Sequence, residues 1–163
     1  MSKGPGRIER TIRAAFADSP SRIYSVEQLA ELAYPGVNCV EKKHRVAVIR
    51  AARAAGWRCG QSEAPGHPLV YFNPLDVRSY ALSRLRRDFL NHRLSDADLE
   101  GLLDTPDCHR SHWAYVQPGG VWWMHVGVHR AERAGDAVKA AAIRAELNAK
   151  VDREFAERLR KPL

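Results

Sequence analysis

The chain has 163 residues, with 26 Lys and Arg against 19 Asp and Glu, for a formal charge of +7. That length holds one domain or a small domain with an appendage, and a hydrophobic fraction of 45% excludes wholesale disorder. No apolar run approaches the roughly 18 residues that span a bilayer, and the basic surplus favours an anionic partner, nucleic acid being the commonest. Residues 1–7 carry no apolar stretch behind them and do not read as a secretory signal. Cys39, Cys59 and Cys108 are odd in number and far apart, so the expectation is a reducing cytoplasm rather than a disulfide framework.

Residues 1–6 read as a short arm. Beyond them Ile8, Ile12, Ala15 and Phe16 recur at i, i+4, i+7 and i+8, one face of a helix. Arg7, Arg10 and Arg13 lie largely off that face. The 18–21 stretch breaks the pattern, and 22–24 is long enough only for a minimal strand. Ser25 with Gln28 has capping-box spacing, and Val26, Leu29, Ala30 and Ala33 continue a second helix. Tyr34-Pro35-Gly36 ends it.

A third helix is expected over 39–55. Asn38 stands three residues before Glu41, which is again capping-box spacing, and Gly56 supplies the stop. About four residues then join helices two and three, a plausible helix-turn-helix connection. On a helical wheel, Val40, His44, Ala47, Val48, Ala51 and Ala55 gather on one arc, so His44 is expected to pack inward. Lys42, Arg45, Arg50 and Arg53 gather opposite, with Val46 and Ile49 among them. If Val46 and Ile49 turn toward the core, the basic arc rotates. Two strands at 57–60 and 69–72 flank a turn-rich 61–68 segment. Trp57, Leu69, Tyr71 and Phe72 are expected to complete the core.

Helix, short strand, helix, turn, helix, strand, wing, strand: over residues 5–74 this order resembles the winged helix-turn-helix superfamily. The resemblance implies a mainly α fold with a small β-hairpin wing. It also implies a third helix that enters the major groove and a wing that touches backbone or minor groove. Carried onto this chain, it assigns DNA contacts to Asn38, Lys42, Lys43, Arg45, Arg50 and Arg53, and wing contacts to Arg58, Gln61 and His67. Basic side chains of the helix would meet phosphates, and Lys42 or Arg45 near its start would reach base edges. A bidentate arginine–guanine contact is worth roughly 1–3 kcal/mol of discrimination.

Asn73-Pro74 marks the expected boundary between a winged domain at 1–74 and a helical C-terminal region at 75–163. A helix is expected from Leu75 through Tyr80, Leu82, Leu85, Phe89 and Leu90, with Arg84, Arg86 and Arg87 beside it. Ser95 and Asp98 form another capping pair, opening a short helix through Leu99, Leu102 and Leu103 that Thr105-Pro106 stops. The 112–126 stretch fits a hairpin around 117–120 or a loop and then a helix from Val121. The second is preferred, because 125–134 continues without a strand-like stop. Trp113, Tyr115, Trp122 and Trp123 point to buried surface in the fold or at an interface. Gly135-Asp136 reads as a stop and a new cap. From Ala137 to Arg160, Ile143, Leu147, Val151, Phe155 and Leu159 recur at i+4 along about 36 Å of helix. Such a stripe needs a partner, either the preceding helix or a second chain.

Cys108, His109, His112, His125 and His129 are the one concentration of metal-ligand types. His125 and His129 share a helix face, but no Glu follows His125 as a metalloprotease helix requires, and the spacing is not that of a zinc finger. They read as packing residues, with no metal and no cofactor expected. Phosphate-binding glycine loops and a Gly-x-Ser-x-Gly turn are missing, and capping explains the spacing of Asp96, Asp98, Asp104 and Asp107. No catalysis is expected. The sequence reads as a cytoplasmic binder of double-stranded DNA, a bacterial or phage-type transcriptional regulator. Its C-terminal helices would pair two copies or hold a partner protein, with no membrane involved. The alternatives are a protein-interaction module using the Trp-rich 113–123 segment and, more weakly, a metal-dependent nuclease.

Overall fold

The computed structural model describes residues 6–60, 69–88, 94–106 and 112–160. The described chain is mainly helical with a small antiparallel sheet, and it divides into two compact units, 1–100 and 101–163. No helix among the described residues is long and apolar enough to cross a membrane.

In the first unit, α1 (Arg7–Asp18) buries Ile12 and Phe16, the two large residues of the stripe read from the sequence. The three-residue strand β1 (Ile23–Ser25) leads directly into α2 (Val26–Ala33). Ser25 caps α2 as expected: its Oγ accepts from the Gln28 N–H at 3.1 Å, and the Gln28 side chain accepts from the Ser25 N–H at 2.8 Å. The C-terminus of α2 is held by Arg7, which donates to the Ala33 carbonyl at 2.8 Å. A cation suits the negative end of a helix dipole.

The third helix departs from the expectation of 39–55. It runs from Lys42 to Ala54 as α3, with Glu41 rather than Asn38 at the N-cap. The Glu41 N–H donates to His44 Nδ1 at 3.2 Å, and His44 packs on the Tyr34 ring with centroids 4.5 Å apart. The Glu41–His44 pair therefore displaces the Asn38–Glu41 pair, and the α2–α3 connection lengthens to residues 34–41. Gly56 closes the helix at φ +82°, as its position after the last turn requires.

β2 (Arg58–Gly60) and β3 (Val70–Phe72) pair antiparallel, and β1 joins the far side of β3, so the order is β1-β3-β2. The ribbon expected from the sequence thus becomes a three-stranded sheet, with Tyr24 and Cys59 both in register with Tyr71. The core gathers Ile12, Phe16, Tyr24, Leu29, Val48 and Tyr71 from all three helices and two strands. Phe16 stacks on Trp57 at 4.2 Å and meets the Tyr24 ring edge-on at 5.0 Å. Burying a large apolar side chain contributes about 1.5–3 kcal/mol, so these contacts hold the helices to the sheet.

α4 (Val77–Asp88) starts two residues later than the Leu75 expected, because Asn73 and Asp76 use their side chains on the turn. The Leu75 N–H donates to Asn73 Oδ1 at 3.0 Å, and the Ser79 N–H donates to Asp76 Oδ1 at 2.9 Å. Ser79 Oγ donates in turn to the Arg22 carbonyl at 2.9 Å, and Phe72 meets Tyr80 edge-on. α4 therefore belongs to the first unit, which extends past the boundary expected at residue 74. Phe89 and Leu90 lie outside the described residues.

The chain passes into the second unit along α5 (Asp96–Asp104), whose cap is the expected one: the Asp98 N–H donates to Ser95 Oγ at 3.2 Å and the Ser95 N–H to Asp98 Oδ2 at 2.8 Å. A short turn of helix, α6 (Trp113–Val116), precedes α7 (Val121–Arg133) and α8 (Ala137–Arg160), so the helical reading of 112–134 holds over the hairpin. Trp122 is buried, stacked on His112 at 5.4 Å with Tyr115 edge-on at 5.2 Å. Gly135, at φ +76°, ends α7, and Asp136 Oδ1 accepts from the Lys139 N–H at 2.9 Å.

α7 and α8 pack through Val128, Ala131, Ala140 and Ile143, and the Arg144 guanidinium pairs with Glu132. Farther along α8, Lys150 donates to the Gly119 carbonyl at 2.6 Å and Arg158 to the Tyr115 hydroxyl at 3.3 Å. The i+4 stripe is thereby split. Leu147 is buried, whereas Val151, Phe155 and Leu159 are 44%, 63% and 73% exposed.

Candidate nucleic-acid interface

α3 is held on one side and open on the other. His44, Val48, Ala52 and Ala55 are buried, and Ile49 and Ala51 pack at the edge of the core cluster. Lys42, Lys43, Arg45, Arg50 and Arg53 are all exposed. The basic arc expected from the helical wheel is present, and His44 faces inward as expected. Of the two apolar residues within that arc, Ile49 turns toward the core, whereas Val46 remains 36% exposed.

The cations are not equivalent. Lys43 Nζ lies 3.0 Å from the Glu41 carboxylate, and Arg45 Nε lies 3.2 Å from Glu27 on α2. Lys43, by hydrogen bond and by charge, holds the Glu41 carboxyl below the usual carboxylate range. Lys42, Arg50 and Arg53 form no ion pair among the described residues. The free positive charge of the face is therefore concentrated at those three positions, because Glu27 and Glu41 already neutralise their neighbours.

Asn38 is exposed on the 34–41 connection, ahead of the helix rather than on it. Arg58 opens β2, in register with Phe72. Gln61, His67 and the Pro65-Gly66 turn lie outside the described residues, as do Cys108 and His109. Among the described residues, no three His, Cys, Asp or Glu side chains gather as a metal site. His129 instead meets Glu132 at 3.3 Å, and His112 stacks on Trp122.

On its outward side α3 presents Lys42, Lys43, Arg45, Val46, Arg50 and Arg53, all exposed. A cleft of about 440 Å³ in the first unit lies elsewhere, between the 19–23 turn and α4, where Ser19, Arg22, Arg78, Leu82 and Glu100 line it. A helix face that presents several exposed cations is suited to a polyanion. Val46, named within the basic arc in the sequence, is an apolar side chain left outside the core cluster.

No family model matches the chain, and neither a curated protein nor a solved structure matches it.

Proposed function

We propose that the first unit is a winged helix-turn-helix domain and that the protein binds double-stranded DNA through the outward face of α3, as a transcriptional regulator of bacterial or phage type. One observation carries the reading: Lys42, Arg50 and Arg53 project without ion-pair partners among the described residues from a helix whose opposite side is locked into the core. The order α1-β1-α2-α3-β2-β3 with sheet order β1-β3-β2 supports the fold assignment. Neutralising phosphates with such cations supplies most of the affinity, and base edges in the major groove supply the sequence preference. The test is a titration of duplex DNA at matched salt with the wild-type chain and a Lys42→Ala/Arg50→Ala/Arg53→Ala variant. Binding that is lost in the variant supports the reading, and unchanged affinity overturns it.

The exposed Val151, Phe155 and Leu159 row supports pairing of two copies through α8. A dimer of such domains would select a palindromic DNA site, half-sites spaced by about one helical turn. Selection of bound duplexes from a random library tests this, and a selected site without symmetry counts against the pairing. A second reading, a protein-interaction surface in the second unit, is favoured by Trp113 and Trp123, which are 38% and 40% exposed. It predicts capture of a partner protein that Trp113→Ser/Trp123→Ser abolishes while DNA binding persists.

A further inference from the structure

Val46 occupies the middle of the open side of α3. The buried residues of the helix are His44, Val48 and Ala52, followed by Ala55 at its C-cap. At about 100° of turn per residue, the direction opposite their mean falls between Val46 and Arg50. Lys42 and Arg53 lie to one side of that direction, beyond Val46, and Lys43 lies to the other, beyond Arg50. Val46 takes no part in the core cluster that claims Ile49 and is 36% exposed. A single exposed valine is ordinary on a protein surface. This one lies among exposed cations, with Lys42 and Arg50 one turn to either side of it and Lys43 three residues before it, close to the outermost direction of the helix.

What that point can recognise follows from its chemistry and rests on the proposed role of α3 in DNA binding. Once the surrounding cations meet phosphates, the centre of the helix face meets base edges. In the major groove, each base pair presents hydrogen-bond donors and acceptors, and thymine also presents its C5-methyl group. Valine has neither donor nor acceptor. Against an amino group or a carbonyl oxygen it would strip water and return no hydrogen bond, which is unfavourable. Against a methyl group it buries apolar surface on both sides. We infer that Val46 is a specificity-determining residue that packs on a thymine C5-methyl group and fixes a thymine at one position of the recognised site.

The experiment separates this inference from the broader reading. Duplexes bound by the full chain are selected from a random library, and each thymine of the selected site is replaced singly by deoxyuridine, which lacks only the C5-methyl. The wild-type chain should lose roughly fourfold in affinity at one thymine, the worth of one buried methyl group. Val46→Ala, with its shortened side chain, should be insensitive to the same replacement. Val46→Thr, which keeps one methyl, should stay sensitive. A selected site at which no thymine shows this dependence on Val46 overturns the inference and leaves DNA binding standing. Binding without any selected sequence does the same. A chain that retains no duplex overturns both.

Discussion

Arg50→Ala and Arg45→Ala should separate in a way that charge counting does not foresee. Each phosphate neutralised on B-DNA contributes about −0.9 to the slope of log affinity against log salt. Lys42, Arg50 and Arg53 form no ion pair among the described residues, so each should release a full counterion on binding. Together they contribute a slope of about −2.7, which weakens binding about 40-fold when salt is raised fourfold. Arg50→Ala removes one contribution, leaving about −1.8 and about 12-fold. Arg45 differs, because the Glu27 carboxylate 3.2 Å away already acts as its counterion. That carboxylate is tethered to α2 and is not diluted into bulk solvent when Arg45 leaves it. Arg45→Ala should therefore change the slope by much less than Arg50→Ala, and Glu27→Gln should steepen it by up to about 0.9. An exposed pair of this kind contributes only about 0–1 kcal/mol, so breaking it should leave the fold intact. The assay is fluorescence anisotropy on one labelled duplex across a salt series, with circular dichroism as the folding control. Equal slope changes for Arg45→Ala and Arg50→Ala, or no change for Arg50→Ala and Arg53→Ala, would refute the reasoning.

Two glycines of the second unit should respond to alanine with opposite signs. A Cβ at Gly120 would lie 2.3 Å from the Ala114 carbonyl oxygen and 2.5 Å from that of Tyr115. The backbone must then move, at a cost of about 1–3 kcal/mol, and thermal unfolding should shift down by more than about 4 °C. At Gly127 a Cβ would meet only Ile143 side-chain atoms, the nearer at 3.5 Å. Replacing a helix-interior glycine gains about 1 kcal/mol of propensity, so Gly127→Ala should raise the transition, and a fall would contradict the α7–α8 packing. Asp98 should titrate below its ordinary value because the Ser95 side chain, then the Ser95 N–H, hydrogen-bond its carboxylate. The folded carboxyl is the stronger acid, so the cap's contribution is present above about the ordinary 3.8 and is lost as pH falls through the lower folded value. NMR titration checks this, and Ser95→Ala should move Asp98 back toward 3.8.

How much of this was legible in the sequence depended on how far each decision reached along the chain. The caps at Ser25 and Ser95 are closed by residues three positions away, so spacing alone found them, and the residue types Gly135-Asp136 pointed to the cap at Asp136. Asn38 failed by the same rule because two capping signatures overlap, Asn38 with Glu41 and Glu41 with His44. Burial of His44 against Tyr34 at the end of α2 settles the choice, and that contact crosses the connection between helices. The first compact unit runs past the boundary expected at residue 74 for a similar reason. Asn73-Pro74 does make a turn, but Ser79 beyond it bonds to the Arg22 carbonyl, 57 residues earlier. Likewise, three residues at 23–25 form a strand because β3 arrives from residues 70–72 to pair with them.

The candidate site was legible as a basic arc and illegible as a field. In sequence, Lys42, Lys43, Arg45, Arg50 and Arg53 carry equal charge and differ only in their angle around the helix. The fold makes them unequal by bringing Glu27 from α2 to Arg45 and setting Glu41, the N-cap, beside Lys43. Both neutralised cations lie near the start of α3, where the sequence reading had placed base contacts by Lys42 or Arg45. The cations left without carboxylates extend from Lys42 through Arg50 to Arg53, and Val46 lies among them. If α3 meets DNA, the phosphate contacts therefore rest on Lys42, Arg50 and Arg53, and a valine joins the base-edge contacts expected of Lys42 or Arg45. That change alters the kind of specificity to be looked for. An arginine at the centre would select guanine through two hydrogen bonds worth roughly 1–3 kcal/mol, whereas a valine selects a methyl group worth about 0.8 kcal/mol. The thymine preference should accordingly be mild, and most of the affinity should disappear with salt.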